Sequence, residues 1–368
     1  MKKLNICIID EPLNLNILSE LFPFLPAISM KNHREDSMVP FVSHGSYCAA
    51  ILIEALTSYG IIDRVTITHY SIADRNEPMS IAQFTQALKY CSEVRPHIIS
   101  LSLGMTGRRY LKNIVPFLLN IRDSAILAAA SNDMKITYPA AFPQVIGVKR
   151  NVDVSKPQYL YVKTPIDGIE LLANMPQTDI LKRFESEYKY SSGVTNSSLV
   201  PRVCADLCNK MISAKIKRIH SKSSVYQILG AKKADRIEGQ RFSSPLMMPD
   251  FYEKTPIILV KADQTDPKNI SKALALQKKF ECLDYSCAII SEAFAENNFL
   301  EGHYTTRSPF SVKYISLLQS IISDSLILLL AESIDATCAV IDYYISDWER
   351  RDVSDLCREI LGSFSDEA

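Results

Sequence analysis

The sequence lacks a charge bias. Its 368 residues carry 41 Lys and Arg against 41 Asp and Glu, so no global field draws it to nucleic acid or to an anionic membrane surface. Neither class of partner is expected. A secretory signal is missing too: MKKLNICIID offers two lysines and a short apolar run that ends at Asp10, with no small-residue cleavage site behind it. That stretch reads as a strand. The most apolar later segment, Leu326 to Ala331, is enclosed by Asp324 and Glu332 and falls far short of the roughly 20 residues that cross a bilayer. The nine cysteines are odd in number and show neither a CxxC pair nor a His-Cys ligand spacing. They predict reduced, buried thiols in a cytoplasmic protein, with no metal and no cofactor. Repeats, low-complexity tracts and phosphate loops are also absent.

What is present is an ordinary globular composition, 47% apolar and 22% charged, which excludes long disorder. The length favours two domains over one. Strand-like and helix-like segments alternate from the start. Strands are expected over Leu4 to Ile9, Arg64 to Tyr70, His97 to Leu103, Ala125 to Ala130 and Val145 to Val148, and helices over Ser46 to Tyr59, Ile81 to Val94 and Tyr110 to Ser124. This order predicts an α/β fold, a parallel sheet with helices on both faces and functional residues at the carboxyl ends of the strands. After a helix from Pro201 to about Lys217, a polar stretch rich in Lys, Arg and Ser runs to about Lys254. The expected division is therefore a first domain over 1–218, a connecting segment over 219–254 and a smaller α/β domain over 255–368. The last is expected to hold strands over Pro256 to Ala262, Cys287 to Ser291 and Leu326 to Leu330, with one more over Cys338 to Ile345.

Serine hydrolysis needs a hydroxyl that loses its proton as it attacks, an imidazole to take that proton, a carboxylate to orient the imidazole, and donors for the developing oxyanion. The first domain supplies these groups in one order: Asp10 at the end of ICIID, His44 opening SHGSYCAAIL, Asn132 after AILAAAS, and Ser197 opening the helix in GVTNSSLVPRVCADL. With Ser102-Leu103-Gly104 between them, with Ala129-Ala130-Ser131-Asn132, and with Pro201 four residues after Ser197, this set resembles the subtilisin-like serine proteases, the subtilases. Tyr138 to Val148 (YPAAFPQVIGV) is similar to a further segment of that family. The match spans about residues 4 to 215.

The resemblance implies a subtilisin-like sheet and a serine endopeptidase in which Ser197 attacks, His44 shuttles the proton, Asp10 orients His44, and Asn132 with the Ser197 N–H holds the oxyanion. It also implies that Ser102, Leu103 and Gly104 form an exposed edge that pairs with a peptide or protein substrate in extended conformation. Ser198 competes with Ser197, and the spacing to Pro201 selects Ser197. Glu11-Pro12, Ser46-Tyr47 and Thr195-Asn196 depart from the family pattern, and Thr195 in place of glycine predicts a restricted backbone where substrate must approach closely. A dedicated processing role, cleavage of a peptide precursor or leader in peptide maturation, is the specific expectation. The alternative is a pseudoprotease that binds extended peptides without cutting them. An α/β-hydrolase is excluded because no Gly-x-Ser-x-Gly elbow occurs and the chain order of the triad differs.

In the second half, Lys261, Asp263, Glu292 and Glu332 lie at strand ends without a phosphate loop or metal pattern, so a scaffold or recognition module is expected there. His303 is read as structural. Cys204 and Cys208, one helical turn apart, are expected to be buried against the sheet.

Overall fold

The computed structural model describes residues 3–32, 42–72, 79–132, 135–151, 158–163, 165–175, 177–190, 194–234, 255–305, 312–332 and 341–365. The chain divides into unit 1, Met1–Met105 with Tyr110–Met247, and unit 2, Thr106–Arg109 with Met248–Ala368.

Unit 1 runs β1 (Leu4–Asp10), α1 (Leu15–Leu21), β2 (Ile28–Lys31), α2 (His44–Ser58), β3 (Val65–Ser71), α3 (Ile81–Val94), β4 (Ile98–Leu101), α4 (Leu111–Asn120), β5 (Ala125–Ala129), β6 (Ile146–Arg150), β7 (Tyr159–Val162), β8 (Leu171–Ala173), α5 (Asp179–Tyr188), α6 (Asn196–Ser213), α7 (Lys222–Leu229) and β9 (Lys232–Ala234). The strands form one sheet in the order β2-β3-β1-β4-β5-β6-β8-β7-β9. Every pairing is parallel except β7 with β8. Side chains alternate between the two faces of a strand, yet every residue of β4 and β5 is buried. Both faces of the sheet centre are therefore covered, which is why β5 reads as an unbroken apolar run and β4 is interrupted only by the buried Ser100.

Connections leave β1 toward β2 and β3 on one side, and the chain then crosses to β4, β5 and β6 on the other. The carboxyl ends of β1 and β4 thus form a switch point of the sheet, the place where parallel α/β folds build sites. Asp10 ends β1 there, and Ser102 follows β4. Two helices are brought to the same end by their caps. Ser43 caps α2 by accepting the Ser46 N–H, and Thr195 caps α6 in a reciprocal capping box with Ser198. The small residues Gly45, Ser46, Cys48, Ala49 and Ala50 line the buried start of α2. At Gly45 any side chain would run into the backbone carbonyl of Glu11, so only glycine lets α2 approach the end of β1 this closely.

The connecting segment expected over 219–254 is different in its first part. α7 and β9 occupy it, and β9 pairs with β7 as the last strand of the unit 1 sheet. Three residues of β9, two of them lysines exposed to solvent, carry too little pattern to be read as a strand from sequence. The rest of that segment, 235–254, lies outside the described residues.

Unit 2 contains β10 (Ile257–Lys261), α8 (Pro267–Cys282), β11 (Cys287–Ser291), β12 (His303–Thr305), α9 (Val312–Ile321), β13 (Leu326–Ala331), β14 (Tyr343–Ile345) and α10 (Val353–Ser365). Its five strands pair in parallel in the order β12-β11-β13-β10-β14. The strand expected over Cys338 to Ile345 is observed as β14, and its first residues lie outside the described set. Apolar side chains including Phe280, Leu328, Trp348 and Ile360 form a separate core. Within this unit the half-buried Arg108 donates to Asp324 Oδ1 at 3.0 Å and to the Cys287 carbonyl at 2.7 Å. The whole is an α/β protein with a large, mostly parallel sheet and a smaller parallel one.

Candidate active site

Asp10 closes β1, 2% exposed. Its Oδ1 accepts the Glu11 N–H at 2.8 Å and faces His44 Nδ1 at 2.8 Å. Its buried Oδ2 has no partner among the described residues. His44 is the first residue of α2, and its Nε2 lies 3.0 Å from Ser197 Oγ. Nδ1 carries the proton toward the carboxylate, so the neutral ring presents Nε2 as acceptor to the hydroxyl. β1, α2 and α6 thus bring Asp10, His44 and Ser197 into one hydrogen-bonded row. Ser198 does not join it: fully buried, it donates from Oγ to the Thr195 carbonyl at 2.9 Å and accepts the Thr195 N–H at 2.9 Å.

Electrostatics follow from this placement. Burial alone would lower the His44 pKa, but the attraction of the Asp10 carboxylate and the bond to it outweigh burial and raise it. Cys48, one helical turn along α2, places Sγ 3.8 Å from both ring nitrogens of His44. Burial pushes that thiol up, so Cys48 is a neutral neighbour and Asp10 is the charge that sets His44. Among the described residues, Asp10, His44 and Cys48 are the one group of three potential ligand atoms close enough, within 4.8 Å of one another, to hold a metal ion.

Asn132 follows β5, and its Oδ1 accepts the backbone N–H of Asn196 at 3.2 Å. Ser102, Leu103 and Gly104 continue β4 beyond Leu101, where its pairing with β1 and β5 ends. Against the expected exposed edge, Ser102 is buried by the strands on either side of β4 and Leu103 is half-buried, so only Gly104 is exposed. The next residue, Met105, exchanges two backbone bonds with Tyr138, at 2.8 and 2.7 Å. A side chain at position 104 would meet the Thr137 methyl, so any larger residue there needs Thr137 to move.

The departures from the family pattern turn out to have structural uses that the sequence alone did not disclose. Glu11 accepts the His44 backbone N–H on Oε2 at 2.9 Å, placing a carboxylate at the N-terminus of α2, where a negative charge is favoured. Thr195 has φ −105 and ψ 172, an extended conformation open to any residue, so the expected backbone restriction is not found. Its Oγ1 instead accepts the Ser198 N–H and lies 2.9 Å from Ser197 Oγ.

The other groups singled out in the sequence have ordinary surroundings. Cys204 and Cys208 are buried in the unit 1 core. His303 stacks on Phe294 at 4.8 Å and meets Gln277 Oε1 at 3.0 Å. Lys261, Asp263 and Glu332 line a cleft of about 620 Å³ in unit 2, together with Trp348 and Arg350. Glu292 lies outside that lining and is exposed.

No family model and no curated protein matches the chain. It is similar in structure to subtilisin-like proteases. One is a cold-adapted subtilisin-like serine proteinase, 14% identical over 62% of this chain and 80% of that one, with a TM-score of 0.44. Others are a lanthipeptide protease, 14% identical over 64% and 86% with a TM-score of 0.45, and the nisin leader peptidase NisP from Lactococcus lactis, 15% identical over 66% and 88% with a TM-score of 0.44. What the site can do follows from its own geometry.

Proposed function

We propose that the chain is a serine endopeptidase whose nucleophile is Ser197. The observation that carries this reading is the row Asp10–His44–Ser197, joined at 2.8 and 3.0 Å across three separate elements. Ser197 Oγ attacks the scissile carbonyl carbon while its proton passes to His44 Nε2. Asp10 holds the ring in the tautomer this requires and stabilises the imidazolium. The negative charge that develops on the carbonyl oxygen is met by the Asn132 side-chain amide and by the Ser197 N–H at the start of α6. When the tetrahedral intermediate collapses, the C–N bond breaks and His44 returns the proton to the leaving amine. Water, deprotonated by the same imidazole, then releases the acyl group from Ser197. Substrate lies extended along Ser102–Gly104, beyond the end of the sheet ladder.

The more specific reading is cleavage of a dedicated peptide precursor or leader in the cytoplasm. It fits a site that would meet its substrate as an extended segment along Ser102–Gly104. The other reading, a peptide binder with little or no turnover, draws on Thr195 Oγ1 beside the nucleophile and on the raised His44 pKa, which favours the protonated ring that cannot accept the serine proton. A fluorophosphonate probe separates the two. Labelling of the wild type and none of Ser197→Ala is expected, whereas a folded wild type that stays unlabelled at alkaline pH supports the binder.

A further inference from the structure

Asn196 is 1% exposed, and both ends of its side chain are engaged. Nδ2 donates to the Ser131 carbonyl at 2.9 Å, and Oδ1 accepts the Arg150 N–H at 2.8 Å. Its backbone N–H donates to Asn132 Oδ1 at 3.2 Å. One residue therefore ties the first turn of α6 to the loop after β5 and to the end of β6. A backbone N–H only donates, so the Asn132 atom it faces is the carbonyl oxygen, which turns Nδ2, the donor end of that amide, away from Asn196.

We infer that Asn196 is a positioning residue that holds the Asn132 amide in register with the nucleophile directly after it, Ser197. The inference rests on the serine-protease reading and deepens it. An oxyanion donor acts only when it lies within hydrogen-bond reach of the place the charge will develop. Asn132 sits on a loop and Ser197 on a helix, and nothing in the covalent chain fixes one against the other across 64 intervening residues. Asn196 does so, its backbone N–H holding Asn132 directly and its side chain holding the donor's loop through Ser131. Both of its amide ends are buried, so removing them leaves the Ser131 carbonyl and the Arg150 N–H without those partners, and the loop moves to find others.

The test is the second-order rate constant of fluorophosphonate labelling of the full chain, because the phosphoryl oxygen of the adduct occupies the position of the oxyanion. Asn196→Ala and Asn196→Asp are each made alone and together with Asn132→Ala, and melting temperatures are recorded for all. Asn196→Asp keeps an acceptor for the Arg150 N–H and loses the donor to Ser131, so it reads the same tie if the alanine variant does not fold. Either substitution alone is expected to slow labelling about 10- to 100-fold, the scale of a donor misplaced by about 1 Å. In the Asn132→Ala background the further loss is expected to be under about threefold, since the group being positioned is gone. Equal losses in both backgrounds, as a residue serving only the fold would give, overturn the inference, as does an unchanged rate in both variants. A wild type that is itself not labelled sinks the protease reading. A labelled wild type with indifferent Asn196 variants sinks only the positioning role.

Discussion

At the scale of single residues, the proposed chemistry depends on His44 losing a proton that its surroundings help it keep. Asp10 raises the His44 pKa above the ordinary value of 6.5 against the pull of burial. Only the neutral ring accepts the Ser197 proton. The neutral fraction grows as pH rises, so labelling of Ser197 is expected to climb toward alkaline pH with its midpoint above 6.5. Asp10→Asn removes the charge and leaves the burial, so the midpoint moves to lower pH even as kcat falls, by about 10,000-fold on the precedent of other triads. A pH profile of labelling for the two proteins checks the direction, and an unchanged midpoint in Asp10→Asn contradicts the assignment of Asp10 as the charge that matters. Asp10, His44, Asn132 and Ser197 were singled out in the sequence by the order of their blocks and the resemblance of those blocks to the subtilases, and the structure brings Asp10, His44 and Ser197 into one hydrogen-bonded row. Glu11, Thr195 and Asn196 were visible only as departures. Glu11 accepting the His44 N–H and Asn196 tying α6 to the loop after β5 are contacts between segments far apart in the chain, which no local pattern encodes, whereas the Thr195 contact with Ser197 is local and depends on the turn that opens α6.

At the scale of elements, the site depends on how closely α2 approaches the end of β1. Gly45 permits that approach, and Gly45→Ala sets a methyl group against the Glu11 carbonyl. The backbone must give way, moving His44 relative to Asp10. Labelling is expected to fall by about 100-fold or more, together with a lower melting temperature, and a variant that labels like wild type would show that α2 can shift away from β1 without disturbing the row. Ser43→Ala removes the α2 cap and is expected to cost about 1 kcal/mol of stability, read from denaturant unfolding. The long elements could be read in advance because their apolar periods are long enough to register: β1, β3, α3 and α6 fall close to their expected places. β2, β7, β8 and β12 have three or four residues each, too few for a period of two to stand out from chance. They exist because a neighbouring strand offers them a partner.

At the scale of the molecule, the chain carries two sheets with separate apolar cores, one built around α2 and α6 and the other around β10 and β13. Cores of this kind unfold as distinct cooperative units. Calorimetry is expected to resolve two transitions, and a covalent adduct at Ser197 is expected to move only that of unit 1; a single transition displaced as a whole would show that the units fold as one. The alternation of strands and helices in the sequence is matched by two largely parallel sheets, while β9, three residues long with two exposed lysines, is too short and too polar to be read from its pattern. The measurement that bears most directly on the central claim is digestion of a defined peptide library by the full chain and by Ser197→Ala, read by mass spectrometry at alkaline pH. Cleavage at internal peptide bonds by the wild type, abolished in Ser197→Ala, is the expected result. Equal cleavage by both proteins, or none by a folded wild type against the library and against precursor-like peptides, contradicts it.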